Sequence, residues 1–180
     1  MKRAQLSGIR VLVLGVETAA GRVLAAALAA AGAHTAIVAA SADATVAFEV
    51  QRLSRRIGAA SQAIDATNEM AVRVMTRQLS KRLGGLDLLL FCADLGERTA
   101  DAAALAVRFA AREMAPGRGR GGVIVIALPE GADADIPALA AEYEPNGVRV
   151  LAAGLSPSEQ PTAQVVEKLL ELAASTGEGG

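Results

Sequence analysis

Six short aliphatic and β-branched runs, at 9–14, 34–39, 60–64, 87–92, 122–127 and 147–152, alternate with helical patterns along the 180-residue chain. This alternation is the strongest constraint on the fold. Parallel strands need crossover connections, and helices of this length supply them in right-handed βαβ units. Between the runs, Val46, Val50, Leu53 and Ile57 recur with helical spacing, as do Val72, Met75, Leu79 and Leu83. The stretches 99–114 and 164–175 predict two further helices, and an Ala-rich helix is expected after the first strand. Gly84 stands where a helix-closing glycine belongs. The expectation is one α/β domain over 1–180, a doubly wound parallel sheet of about six strands with helices on both faces. Only the tail 176–180, Thr-Gly-Glu-Gly-Gly, is expected to fray.

Composition excludes several classes of function. Apolar residues make up 52% of the chain, aromatic residues only 2%, and the net charge is −1. No long-range positive field draws nucleic acid, and few rings are present on which bases could stack. Cys92 is the single cysteine and His34 the single histidine, so no disulfide and no Cys/His metal cluster is expected. Lys2 and Arg3 precede an apolar run, but Arg10 and Glu17 bracket only six apolar residues, Val11 to Val16. That is too short for a secretory core, and no stretch approaches the roughly 20 apolar residues of a membrane span. The expected setting is soluble and cytoplasmic.

In sheets of this kind ligands bind beyond the carboxyl ends of the strands. There the chain resembles the short-chain dehydrogenase/reductase family. "GVETAAG" (15–21) stands where that family has GxxxGxG, and "GAHTAIVAAS" is similar to its second strand. "AIDATN" resembles the turn after its third strand, and "GGLDLLLFCAD" its LDxLVNNAG stretch. "RFAAREMAPGRGRGGVIVIAL" and "LAAEYEPNGVRVLAAG" are similar to its fifth helix and fifth strand, and to the end of its sixth helix and sixth strand. The resemblance covers nearly the whole chain. It implies a Rossmann-like sheet in strand order 3-2-1-4-5-6, an NAD or NADP cofactor, and oxidation or reduction of carbonyl and alcohol groups.

Carried over residue by residue, it makes Gly15, Glu17, Thr18, Ala19, Gly21, Arg22, Asp65 and Ala93 the candidate cofactor-binding positions. Gly15 would give the tight turn and Gly21 the close packing of helix on strand. Ala19 puts a methyl group where the backbone should approach pyrophosphate. Glu17 brings a carboxylate into the field that would attract phosphate; alternatively, Glu17 and Thr18 cap the helix. Arg22 is either a 2′-phosphate contact or an exposed helix arginine. Asp65 is either an adenine contact or an ordinary helix cap. The second strand ends Ala39-Ala40-Ser41, with neither the acid of an NAD site nor the base of an NADP site.

No catalytic residue is expected. The family's chemistry uses a serine after strand five and a Tyr-x-x-x-Lys pair, with an upstream Asn. Here strand five runs into Ala127-Leu128-Pro129, and the only tyrosine, Tyr143, is followed four residues on by Gly147. The segment between is too short for the usual helix, and the chain has one helix after strand six without the family's seventh strand. Asp94, Glu97, Glu130, Asp133 and Asp135 could act as acids if buried, but read more simply as a solvated rim. Cys92 reads as a buried hydrophobe and "PGRGRGG" (116–122) as an exposed connector.

The expectation is an inactive member with NAD or NADP binding weakened or lost. It would be a structural or regulatory subunit associating with itself or with a related subunit. The alternatives are an oxidoreductase with non-standard catalytic residues and a nucleotide-binding sensor that keeps a weakened NAD or NADP site through Gly15, Gly21 and Asp65 but does no chemistry.

Overall fold

The computed structural model describes residues 5–178. Its parallel strands are β1 (Arg10–Leu14), β2 (His34–Ala39), β3 (Ala60–Ala63), β4 (Leu88–Phe91), β5 (Gly122–Ile126) and β6 (Val148–Ala152). Its helices are α1 (Ala19–Ala30), α2 (Ala44–Ile57), α3 (Glu69–Leu83), α4 (Thr99–Met114), α5 (Ile136–Tyr143) and α6 (Ala163–Ser175). The sheet order is β3-β2-β1-β4-β5-β6, so the chain reverses direction across the sheet between β1 and β4. The expected single domain, strand order and two-sided helical cover are all present.

The aliphatic runs form strands because both of their faces are covered. Leu12, Leu14, Leu89, Phe91, Ile124 and Ile126 point to one side, against α3 and α4. Val11, Val13, Leu88, Leu90, Val123 and Val125 point to the other, against α1, α2 and α6. The expected strand ends lie a residue beyond the assigned ones, yet the ladder continues through them. The amides of Ile64, Cys92 and Ala127 still donate to Ala39, Leu14 and Phe91 in the neighbouring strands.

α3 closes on Gly84, whose amide reaches Ser80 and Lys81. Residues 99–114 form α4 with the expected bounds. Of the tail 176–180, residues 176–178 form hydrogen-bonded turns and Gly177 lies against Ile9, while 179–180 fall outside the described residues.

α5 is only eight residues long. Ile136, Leu139, Ala140 and Tyr143 pack on the core from this short helix. The apolar surface that a longer helix would cover is therefore partly reburied within the chain.

Two buried carboxylates lock the opposite end of the sheet, where the strands begin. Asp87 is 1% exposed and sits just before β4. Both its oxygens accept from Arg10 at 2.9 Å and from Arg120 at 3.0 and 3.2 Å. Burial pushes its carboxyl up, but these two guanidiniums and the Arg10 amide hold it below the usual Asp value. Glu113, also buried, pairs with Arg77 and Arg118 at 2.9 and 3.3 Å. Burying a carboxylate without such partners would cost several kcal/mol. The 116–122 connector is exposed as expected, and both its arginines serve these buried acids.

Candidate functional site: the cleft beyond the strand ends

The turn from β1 into α1 is fixed by two glycines with no room for a side chain. Gly15 has φ of +97°, and a Cβ there would lie 2.3 Å from the Ala93 nitrogen. A Cβ on Gly21 would lie 2.3 Å from the Gly15 carbonyl oxygen. Ala93 is fully buried and serves this close passage of the two backbone segments. Both glycines are thus required by packing alone.

Three amides of the first turn of α1, those of Ala20, Gly21 and Arg22, donate within the protein. Thr18 is the N-cap: its Oγ1 accepts from the Gly21 amide at 3.1 Å and donates to the Gly15 carbonyl at 2.9 Å. The Arg22 amide donates to the Thr18 carbonyl, and the Ala20 amide to the carbonyl of Pro157 at 2.9 Å. Pro157 is a buried residue of the loop after β6, so that loop is stapled onto the helix start. Ala19 is the first residue of α1 and is half-buried.

Glu17 does not cap α1, which corrects one of the two readings offered by the sequence. Its carboxylate reaches across to β2 and accepts from the Ala40 amide, at 3.1 and 3.2 Å to the two oxygens. Its carboxyl is raised above the ordinary Glu value by burial, against hydrogen bonds from its own amide and from Ala40. Arg22 donates at 3.3 Å to the backbone carbonyl of Glu17 and leaves the carboxylate alone. It opens on a groove of about 380 Å³ shared with Arg52 and Arg56 of α2 and with Glu17 and Glu49.

Asp65 is exposed and turns back on its own loop, accepting from the Thr67 amide at 2.9 Å and hydroxyl at 2.6 Å. Those bonds hold its carboxyl below the usual Asp value. It is not the cap of α3 either: Asn68 is, accepting from the Ala71 amide. A sequence reading Asp-Ala-Thr-Asn offers two capping residues, and only the start of the helix decides between them.

Beyond β4, β5 and β6 lies a cavity of about 670 Å³. Asp94, Glu130 and Glu159 line it and no basic side chain does. Glu159 was not singled out in the sequence, where only its place after the sixth strand could have marked it. Of the other loop acids, Asp135 caps α5 through the Ala138 amide, and Glu97 and Asp133 stand exposed outside the cavity. Where a hydroxyl would be needed, Leu128 and Pro129 form the wall.

Tyr143 lies at the far end of α5, beside the start of β6. Burial and the neighbouring Glu142 push its hydroxyl up, against the pull of Arg108 and Arg112. A general acid of the short-chain family needs the opposite shift. Cys92 is buried under the turn, and burial together with Glu17 pushes its thiol up to about 12, which keeps it unreactive. Among the described residues no group of three His, Cys, Asp or Glu side chains could hold a metal ion. No helix among them is long and apolar enough to cross a membrane.

No family profile matches the chain and no curated protein is significantly similar to it. Solved structures are similar. A short-chain type dehydrogenase/reductase from Mycobacterium ulcerans is 26% identical over 82% of this chain and 67% of its own, with a TM-score of 0.69. Another from Mycobacterium marinum is 24% identical over 97% of this chain and 92% of its own, TM-score 0.69. A short chain dehydrogenase from Mycobacterium smegmatis is 21% identical over 97% and 89%, TM-score 0.70.

The chain has the short-chain dehydrogenase/reductase fold. Within that fold, β1, α1 and the end of β4 meet in the arrangement the glycines predict. The carboxylate of Glu17 and the carbonyl of Pro157 sit on amides at the rim of the same turn.

Proposed function

We propose that this short-chain-dehydrogenase-like protein is catalytically inactive and works as a structural or regulatory subunit, with NAD or NADP binding weakened or lost. One observation carries the reading: most of the anion-attracting amides at the start of α1 are engaged from within. Ala20 donates to Pro157 and Gly21 to Thr18, and the Glu17 carboxylate lies at the rim of the turn on the Ala40 amide. A dinucleotide would compete for these engaged donors with a carboxylate nearby, which disfavours its phosphates at this turn. The absence of the serine, tyrosine and lysine of the family's chemistry supports the same reading.

Association with a second copy or a related subunit belongs to this proposal. Subunits of the family it resembles associate through the fifth and sixth helices, to which α4 and the short α5 correspond. Among the described residues, however, the exposed large apolar side chains are Phe48 on α2 and Met70 and Val74 on α3. Light scattering on the purified chain should give a mass above that of a monomer. Phe48→Ser would lower it if α2 forms the interface, and Met70→Ser if α3 does. A stable monomer that captures no related subunit would overturn the association.

Titration with NADH and NADPH, followed by nicotinamide fluorescence and by calorimetry, tests the site itself. The expected result is no binding at millimolar cofactor, with measurable binding appearing in Glu17→Ser. A wild-type dissociation constant near or below about 100 μM, about −5.5 kcal/mol, would overturn the reading and favour a nucleotide-binding sensor or an oxidoreductase with unusual catalytic groups, which activity on a carbonyl panel would separate.

A further inference from the structure

The end of the sheet opposite the cleft holds a second concavity, of about 470 Å³, between α3, α4 and the connector. Four guanidiniums line it, those of Arg73 and Arg77 on α3, Arg112 on α4 and Arg118 on the connector, with Glu113 as the only carboxylate. We propose that this pocket binds a small polyanion, a linear di- or triphosphate.

Glu113 is 5% exposed, and its two oxygens each take one guanidinium, Arg77 at 2.9 Å and Arg118 at 3.3 Å. A buried acid so placed neutralises one charge and fixes two forks that come from different segments. Each guanidinium carries five N–H donors, so both retain donors for a ligand. Arg112 is held by a third device, its guanidinium 5.0 Å from the centre of the Phe109 ring. Arg73, one helical turn before Arg77, makes no ion pair or hydrogen bond among the described residues. Formally the pocket carries three uncompensated positive charges.

Complementing the helix dipole does not account for this arrangement. The last turn of α3 already carries Lys81 and Arg82, whereas Arg73 and Arg77 stand near its middle, where the dipole is not felt. A phosphate chain suits planar forks that offer paired donors over a short distance. Nucleic acid suits the site less. The charge is gathered in one pocket rather than along a stripe, and Phe109 lies under two guanidiniums with 4% exposure, closed to a base.

Calorimetry of the full chain with sodium tripolyphosphate, pyrophosphate and orthophosphate at constant ionic strength tests the proposal. Tripolyphosphate should bind with a dissociation constant below about 100 μM, and orthophosphate at least about tenfold more weakly. Arg73→Gln with Arg112→Gln should weaken tripolyphosphate at least about tenfold while leaving the melting temperature in place, since neither residue touches Glu113. Arg52→Gln with Arg56→Gln, of equal charge but on α2, should change it less than about twofold. ATP, titrated in parallel, separates a nucleotide from an inorganic source, and binding through either keeps the same phosphate site. No heat at millimolar tripolyphosphate, or an equal loss in the α2 pair, would overturn the proposal. So would tighter binding of poly-glutamate or an RNA oligomer than of tripolyphosphate.

Discussion

The two ends of this one sheet handle charge in opposite ways. Where the strands begin, Asp87 and Glu113 are almost fully buried and each is clasped by two arginines drawn from separate segments. Where the strands end, Glu17 rests on a backbone amide without an ion pair among the described residues, and Asp94, Glu130 and Glu159 face a cavity that holds no base. A parallel sheet wound with helices aims helix N-termini at the second end, which should favour anions. In this chain carboxylates alone line the cavity at that end, while the buried acids clasped by paired guanidiniums sit at the other. Fold alone therefore does not say where an anionic ligand would go; the side chains at each end do.

The largest expected effect separates packing from function at the strand ends. Gly15→Ala would force a Cβ within 2.3 Å of the Ala93 backbone at a φ of +97°. Neither segment can give way without moving β1 or β4, so the loss should be at least about 3 kcal/mol. Thermal unfolding should show a fall of about 6 °C or more for a chain of this size. Ala19→Gly, one turn further on, should change stability by no more than about 1 kcal/mol. If Gly15→Ala melted like the wild type, the glycines would be free of a packing role, and their presence would again speak for a cofactor.

That test bears on what the sequence could reveal. The fold class was legible because alternating aliphatic runs and helical periodicity are local patterns, and the cores of both faces follow from them; the strand order came from the family resemblance. Gly21 was legible as a close packing of helix on strand and Gly15 as a tight turn, but not the clash at Gly15, which comes from Ala93 at the end of another strand. The contacts that define the cleft could not be read at all. Glu17 meets Ala40, and Ala20 meets Pro157, only once register and loop path are set. The same holds at the other end, where Arg77, Arg118 and Glu113 come from three segments with no shared motif.

At the beginning of the strands, Asp87→Asn should cost about 2–3 kcal/mol at neutral pH. That is below the usual figure for a broken buried pair, because Arg10 and Arg120 keep part of their surface in water. The melting temperature should fall by about 5–10 °C. Asp87 sits lower in the folded state than in the unfolded chain, so its contribution is complete above the unfolded value of 3.8 and is lost as pH falls through the folded one. The wild type should therefore lose stability more steeply than Asp87→Asn below about pH 4. Parallel melting curves of the two proteins under acid would mean that the clasp is not what locks this end.

The smallest effect has the opposite sign and sharpens the contrast most. Glu17 is raised in the folded state by burial, so the native protein holds its proton more tightly than the unfolded chain does. Its ionised form then costs stability. The cost is absent below the unfolded value of 4.5, grows as pH rises into the folded range, and persists above it. Glu17→Gln is neutral throughout and keeps an oxygen to accept from Ala40. It should match the wild type near pH 4 and exceed it near pH 7 by an amount on the order of 1 kcal/mol or less. Melting curves across that range would check it. A variant less stable than the wild type at neutral pH would mean that the carboxylate stabilises the turn, and the cleft would then resemble the clasped end. A gain at neutral pH would mean that the chain keeps a costly negative charge beside its own helix start, which packing does not require.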